Sequence, residues 1–294
     1  MSFEVLEPGP YSLLVDAGRP HHRSRGVPLG GAADRASWMQ GNTMVGNELT
    51  AVALEFALVG PSLRATCDVE CAISGAPFKR SGSCFSLKTG EVLKIGPTSE
   101  GMRGYLCVHG GFRGKEILGS HTSLEPIKRG DILDFAAVLA RRANEGEPCE
   151  RLRASPSLAR RANGTAANKT ELRCIAGGQI DWFNESEFFG QNFTVTPASN
   201  RMGLRLAGNP LTRPQREMVS EPVCPGTVQV LNDGQCVILG VDAQTIGGYP
   251  KIAHVISADR DLLGQLRSGQ AVSFKLITLE EAELVLELES AQRG

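Results

Sequence analysis

Between Asp242 and Lys251 the chain reads Asp-Ala-Gln-Thr-Ile-Gly-Gly-Tyr-Pro-Lys, which sets a carboxylate, an amide, a hydroxyl, a phenol and an ammonium around a glycine pair. Gly247 and Gly248 carry no side chain, so their backbone N–H groups can approach a carboxylate or phosphate oxygen. Lys251 then neutralises the bound anion, Asp242 orients a metal ion or the substrate, and Gln244, Thr245 and Tyr249 supply polar contacts. Arg201 and Arg205 add oxyanion donors, because a guanidinium meets an oxyanion with two parallel N–H bonds. Gln229, in the run Gly226-Thr-Val-Gln, joins the substrate-binding set. The same stretch also suits a tight hairpin with Gly-Gly at positive φ and Tyr-Pro packed on the fold. Arg205 equally suits a salt bridge to Glu217 or Glu221.

A second polar group lies near the N-terminus, where Asp16, Arg19, Asp34 and Arg35 fit a cluster at a barrel mouth. Asp34 also reads as a helix cap, and Glu55 as a buried partner of a backbone or arginine group. His21 and His22 are adjacent and belong to an exposed loop, and His109 reads as a satisfied histidine after a strand. Several signatures are missing: no phosphate loop of the G-x-x-x-x-G-K-[ST] type, no G-x-G-x-x-G opening a helix, no G-x-S-x-G elbow and no Met-Lys-Met acceptor for biotin.

The elements that must position these groups read mainly as β. The chain's 34 glycines and 16 prolines break it into short stretches that alternate apolar and polar residues. Strands are predicted at Val69 to Ser74, Glu91 to Ile95, Tyr105 to Val108, Phe193 to Pro197, Thr227 to Val230 and Val272 to Ile277, with another at Cys236 to Val241 ahead of the Asp242 turn. Met202, Leu204 and Leu206 alternate as a strand that begins near Arg201. Three helices are expected: from the Asp34 cap through Met44 to Gly46-Asn47, over Arg260 to Leu266 after Asp259, and after Thr278, which forms a capping box with Glu281.

At 294 residues the chain exceeds one ordinary core, so two domains are expected: 1–137 and 171–294, joined by an Arg-, Ala- and Asn-rich linker over 138–170. The net charge of -1 offers no field to recruit nucleic acid or an anionic membrane. No apolar run approaches the length of a membrane span, and the N-terminus has no export signal, which points to the cytoplasm. The eight cysteines never form Cys-x-x-Cys and read as buried, reduced thiols, with no metal site.

Longer patterns recur in order through both halves. They are Asp16-Ala-Gly-Arg19, Gly26-Val-Pro-Leu-Gly-Gly-Ala-Ala-Asp-Arg35, His109-Gly-Gly-Phe112, Gly177-Gly-Gln-Ile-Asp-Trp-Phe183, Ser199-Asn-Arg-Met-Gly-Leu-Arg-Leu206, Ser220-Glu221 and Val241 through Ile252. In these the chain resembles the C subunit of prokaryotic ATP-dependent 5-oxoprolinase, a group also called allophanate hydrolase subunit 2 or biotin-dependent carboxyltransferase-like. The resemblance implies two cyclophilin-like β-barrel domains. It implies a protein that works with a companion B subunit, of the allophanate hydrolase subunit 1 type, to activate a lactam or amide by phosphorylating its carbonyl with ATP and magnesium, before ring opening is finished by an A subunit. Carboxyl transfer from carboxybiotin to urea or a related amide, and binding of a histidine-kinase inhibitor, are the other activities it implies. Val15, Gly30, Asn200 and Ala243 stand where the family usually has Gln, Ser, Asp and Arg.

Overall fold

In the computed structural model, the described residues are 1–136, 169–214 and 216–291, so the linker expected over 138–170 lies outside them except for its last two residues, which open a strand. The described residues divide into two compact units, 1–19 with 30–136, and 20–29 with 169–291. The sequence division assigns residues 20–29 to the N-terminal half. In the structure they carry a short 3-10 turn at Arg23–Arg25, and the Arg23 guanidinium donates to the carbonyl of Val223 in the C-terminal unit.

The N-terminal unit is built from β1 (Ser2–Glu7), β2 (Ser12–Val15), β3 (Ala53–Ala57), β4 (Val59–Ala65), β5 (Val69–Gly75), β6 (Ser83–Leu87), β7 (Val92–Pro97), β8 (Arg103–Val108) and β9 (Ile132–Asp134). They form two sheets, in the orders β7-β4-β1-β9 and β2-β3-β8-β5-β6. Alternation turns Phe3 and Val5 of β1 inward, where they share a core with Leu63, Leu93, Leu54, Phe56, Ile73 and Leu106 from both sheets. β3 and β8 are instead buried along their whole length, because both of their faces are covered. Their second face, Ala53, Tyr105 and Cys107, packs with Trp38 of the helix Arg35–Met44. That helix starts as expected: Asp34 Oδ1 accepts from the Ser37 amide at 2.9 Å, and Gly46 follows its end at φ +71°.

The C-terminal unit comprises β10 (Lys169–Ala176), β11 (Phe193–Val195), β12 (Gly203–Ala207), β13 (Glu221–Pro222), β14 (Thr227–Val230), β15 (Cys236–Leu239), β16 (Ile246–Gly247), β17 (Lys251–Val255) and β18 (Ala271–Leu276). Seven of them close a barrel in the order β10-β17-β14-β15-β12-β11-β18, completed by parallel pairing of β10 with β18 from Lys169↔Ala271 to Cys174↔Leu276. Leu172, Val228, Val230, Ile238, Val272 and Phe274 fill its interior. β13 and β16 form a separate two-stranded ribbon, with Glu221 opposite Gly247.

The mainly β architecture is therefore the one expected, with local differences. Asp259 precedes the helix Arg260–Gln265 but makes no side-chain cap; its carboxylate is held instead by Arg173, whose amide, Nε and NH2 reach it at 2.8, 3.0 and 2.5 Å. The Thr278–Glu281 capping box does open the helix Leu279–Ala291, through reciprocal bonds of 2.8 and 3.2 Å. That helix leaves Leu279, Leu284, Leu286 and Leu288 exposed. Among the described residues no helix is long and apolar enough to cross a membrane.

Candidate functional site

Strand register brings Lys251 to the candidate site. β14 and β17 pair Thr227 with His254 and Val228 with Ala253, and the register then slips so that Gln229 faces Lys251. Such a bulge re-aims the side chains on either side of it. With Val228 and Val230 turned into the barrel, Thr227 and Gln229 project from its outer wall, yet both are buried because the β13–β16 ribbon and its flanks cover them. Gln229 Nε2 donates to the Tyr249 carbonyl at 3.2 Å, while its Oε1 is buried with no hydrogen-bond partner.

Around this point the side chains form a connected group. The Lys251 ammonium binds the Glu221 carboxylate, with the lysine side chain 12% and the glutamate 41% exposed. Gln179, from the turn after β10, accepts from the Lys251 amide at 3.0 Å and donates from Nε2 to Glu221 at 3.4 Å. Hydrogen bonding from Lys251 holds the Glu221 carboxyl below its usual pKa; loss of solvation opposes it, and the lysine's charge and Gln179 add smaller decreases. The arrangement is a cation and a carboxylate side by side at the surface, flanked by two carboxamides. It can donate to a carbonyl oxygen and accept from an adjacent N–H.

The expected site residues separate into two groups. Lys251, Gln229, Gly247 and Tyr249 meet at the ribbon, with Gly248 beside Ser220 and Thr245 buried, its carbonyl accepting from the Val223 amide. Asp242 and Arg201 form a pair of their own: Arg201 Nε and NH2 reach the two carboxylate oxygens at 2.6 and 3.1 Å, the arginine almost wholly buried. Arg201 lies in the turn before β12, and its charge is matched by Asp242. Arg205 is exposed on β12 and Gln244 is exposed in the turn after Asp242. Of the two partners expected for Arg205, Glu217 and Glu221, the second is taken by Lys251.

The hairpin reading fails for a topological reason: β15 pairs with β12 and β14, not with β17, and the intervening stretch adds its ribbon strand to β13. Neither Gly247 nor Gly248 adopts positive φ. Gly247 packs closely on the end of the Gln229 side chain: a Cβ there would lie 2.7 Å from Gln229 Nε2. Glu221 and Gln179 fall outside the expected site, although both sit in the sequence patterns Ser220-Glu221 and Gly177-Gly-Gln; the β13–β16 pairing and the turn that carry them to Lys251 leave no mark in the local pattern.

The N-terminal polar residues do not gather into one cluster. Asp16 accepts from the Gly18 and His121 amides at 2.8 and 2.6 Å and from the Ser120 and Thr122 hydroxyls at 2.6 and 2.7 Å. Burial pushes its pKa up, and these bonds outweigh that and leave it lowered. Arg19 grips the same loop through the Ile117 and Thr122 carbonyls. Glu55 is the buried partner expected, accepting from the Ala33 amide and Tyr105 hydroxyl, both at 2.9 Å, with Arg103 Nε at 3.3 Å. His109 Nδ1 is satisfied by the Val45 carbonyl at 2.8 Å, and His21 is exposed.

Residues 25–276 match the model of the carboxyltransferase domain, subdomain A and B. The chain is 31% identical to the C subunit of 5-oxoprolinase from Haemophilus influenzae over 95% of its own length and 92% of that protein, and 31% identical to its Escherichia coli counterpart at the same coverage. The crystal structure of Kluyveromyces lactis urea carboxylase matches 97% of this chain with a TM-score of 0.87 and 27% identity, the match occupying 28% of that larger chain. The two-unit β fold and the match across most of its length make this chain a member of the carboxyltransferase domain, subdomain A and B family.

Proposed function

We propose that the chain is one component of an ATP-dependent 5-oxoprolinase-type amidohydrolase, in which the Lys251–Glu221 group recognises the lactam or amide. The observation that carries this reading is the ion pair's asymmetry: the ammonium is sheltered and the carboxylate half open, flanked by Gln179 and the buried Gln229. A lactam offers a carbonyl oxygen and an N–H on the same edge. Lys251 donates to the oxygen, Glu221, kept ionised, accepts from the N–H, and the carboxamides fix the orientation. Charge-assisted bonds of this kind are the stronger class and align the amide for attack elsewhere in the assembly.

The cluster does not fit the phosphates of ATP. Each of its cations is already matched by a carboxylate, Lys251 by Glu221 and Arg201 by Asp242, and a triphosphate needs an excess of positive charge and free backbone donors. In this reading nucleotide and magnesium belong on the companion B subunit, ring opening is finished by an A subunit, and no step on this chain runs through them. The 31% identity to two 5-oxoprolinase C subunits over almost their full length supports the heteromeric assignment.

Carboxyl transfer is the second reading, supported by the TM-score of 0.87 to urea carboxylase. Lys251 and the carboxamides would then steady the ureido oxygen of carboxybiotin brought by a separate carrier. Coexpression with the companion subunits and an assay of ATP consumption driven by 5-oxoproline separates the two. Lys251→Ala is expected to reduce turnover by about 100-fold, in the range of losing one preorganised charge-assisted donor. Wild-type rates in Lys251→Ala would remove the site assignment. Absence of wild-type turnover together with stable binding to a biotinylated carrier would move the assignment to carboxyl transfer.

A further inference from the structure

Among the described cysteines one is exposed. Among the described residues Cys71, Cys107, Cys174 and Cys236 are buried in the two cores, where loss of solvation pushes their thiols up, to about 12 for Cys174 and Cys236. Cys224 is exposed, one residue beyond Val223 at the end of the β13 ribbon. Its Sγ lies 3.4 Å from Thr227 Oγ1, which lies 3.1 Å from His254 Nδ1. The contact follows from strand register, because Thr227 and His254 are directly opposed in the β14–β17 pairing. The turn that returns Cys224 over Thr227 is closed by Thr227 N donating to the Cys224 carbonyl at 3.0 Å and Cys224 N to Thr227 Oγ1 at 3.2 Å.

A second observation points the same way. Arg23 donates to the Val223 carbonyl beside this thiol, and its NH1 is buried without a hydrogen-bond partner. A buried guanidinium nitrogen left unpaired is unfavourable and favours an anion close by. We propose that Cys224 is a modification site, a thiolate supported by His254, Thr227 and Arg23 that reacts with hydroperoxides and then with a small thiol. Hydrogen bonding to His254 is the largest influence on this thiol and brings its pKa down to about 7, with burial opposing and Thr227 and the charges of His254 and Arg23 adding to the decrease.

The chemistry balances with a hydroperoxide and a thiol as co-reactants. The thiolate attacks the distal oxygen of ROOH, an S–O bond forms as the O–O bond breaks, and the departing alkoxide takes a proton from solvent to leave as ROH. Cys224 leaves as a sulfenic acid and ROOH is reduced to ROH. A thiol R′SH then displaces water from the sulfenic acid to give the mixed disulfide. Because Cys224 lies three residues from Glu221, the added group falls next to the ribbon that holds Lys251.

The test uses the full chain. Alkylation of Cys224 by iodoacetamide, followed by peptide mass mapping from about pH 5.5 to 9.5, is expected to show a midpoint near pH 7, and hydrogen peroxide with dimedone is expected to label Cys224 ahead of Cys67 and Cys84. In His254→Gln the midpoint moves toward about 8.5 and the rate at pH 7 falls about threefold, since the thiolate fraction drops about 16-fold while the more basic thiolate gains about fivefold in nucleophilicity. Arg23→Gln gives a smaller shift in the same direction and serves if the histidine variant does not fold. A wild-type midpoint at or above about 8.5, or dimedone labelling that bypasses Cys224, overturns the proposal.

Discussion

Replacing Glu55 by Gln tests the electrostatics of the N-terminal unit without changing the volume of the side chain. Three donors meet the carboxylate: the Ala33 amide, the Tyr105 hydroxyl and Arg103 Nε. A carboxamide has one oxygen and one NH2, so either orientation of the substituted side chain sets a donor against a donor. The Glu55 and Arg103 side chains are 2% and 6% exposed, so water cannot take over, and the guanidinium loses the charge that offsets its burial. Breaking such a pair from one side costs about 3–5 kcal/mol. With a urea slope of about 2 kcal/mol per molar, the unfolding midpoint of this unit falls by about 2 M. Fluorescence of Trp38, buried against the same sheet, reports the transition. Adding Arg103→Met to Glu55→Gln removes the charge that Glu55 balanced and should recover at least half of the loss. A change below about 1 kcal/mol in the single variant, or a double variant no more stable than the single, would refute the argument.

Two further outcomes follow from the same kind of geometry. Gly247→Ala places a methyl against the end of the Gln229 side chain, which must shift from its bond to Tyr249, and is expected to destabilise the C-terminal unit by only about 1 kcal/mol in urea melts, with loss of turnover larger than the loss of folded protein. For Asp16 the folded pKa is depressed, so its stabilisation is complete above the ordinary carboxylate range and is lost as pH falls through the folded value; Asp16→Asn should therefore lower stability at neutral pH and flatten the acid limb of a pH–stability curve below about pH 4.

Local signals in the sequence are reliable where a few residues determine the outcome. Asp34 and the Thr278–Glu281 box begin helices where their side chains can bond the nearest free amides, and Thr227–Val230 is a strand with the bounds expected. The candidate site is legible only in part, because its members come from separate stretches. Lys251, Gln229 and Tyr249 are recognisable as polar residues around a glycine pair, whereas Glu221 and Gln179 reach them through a two-residue ribbon and a register slip that no short-range pattern encodes. Asp259 shows the opposite case: a residue with a capping role by local rules is taken by Arg173, 86 positions away, because a bidentate charged partner outcompetes a helix amide. Cys224 reads in the sequence as one more buried thiol and is exposed in the structure, since the position of a cysteine in a turn depends on how β14 faces β17.

The parallel pairing of β10 with β18 ties the first strand of the C-terminal unit to its last. During synthesis, Lys169–Ala176 emerges with both of its eventual neighbours still unmade, and its partners Lys251–Val255 and Ala271–Leu276 follow some 75 to 100 residues later. Contacts of that separation form late and slowly, so the barrel stays an open sheet with an unpaired edge until the ribosome has released residue 276. A truncation between Ala176 and Ala271 thus leaves the C-terminal unit with a templating strand and no closed barrel, and in cells it would be the form drawn toward aggregation and chaperones.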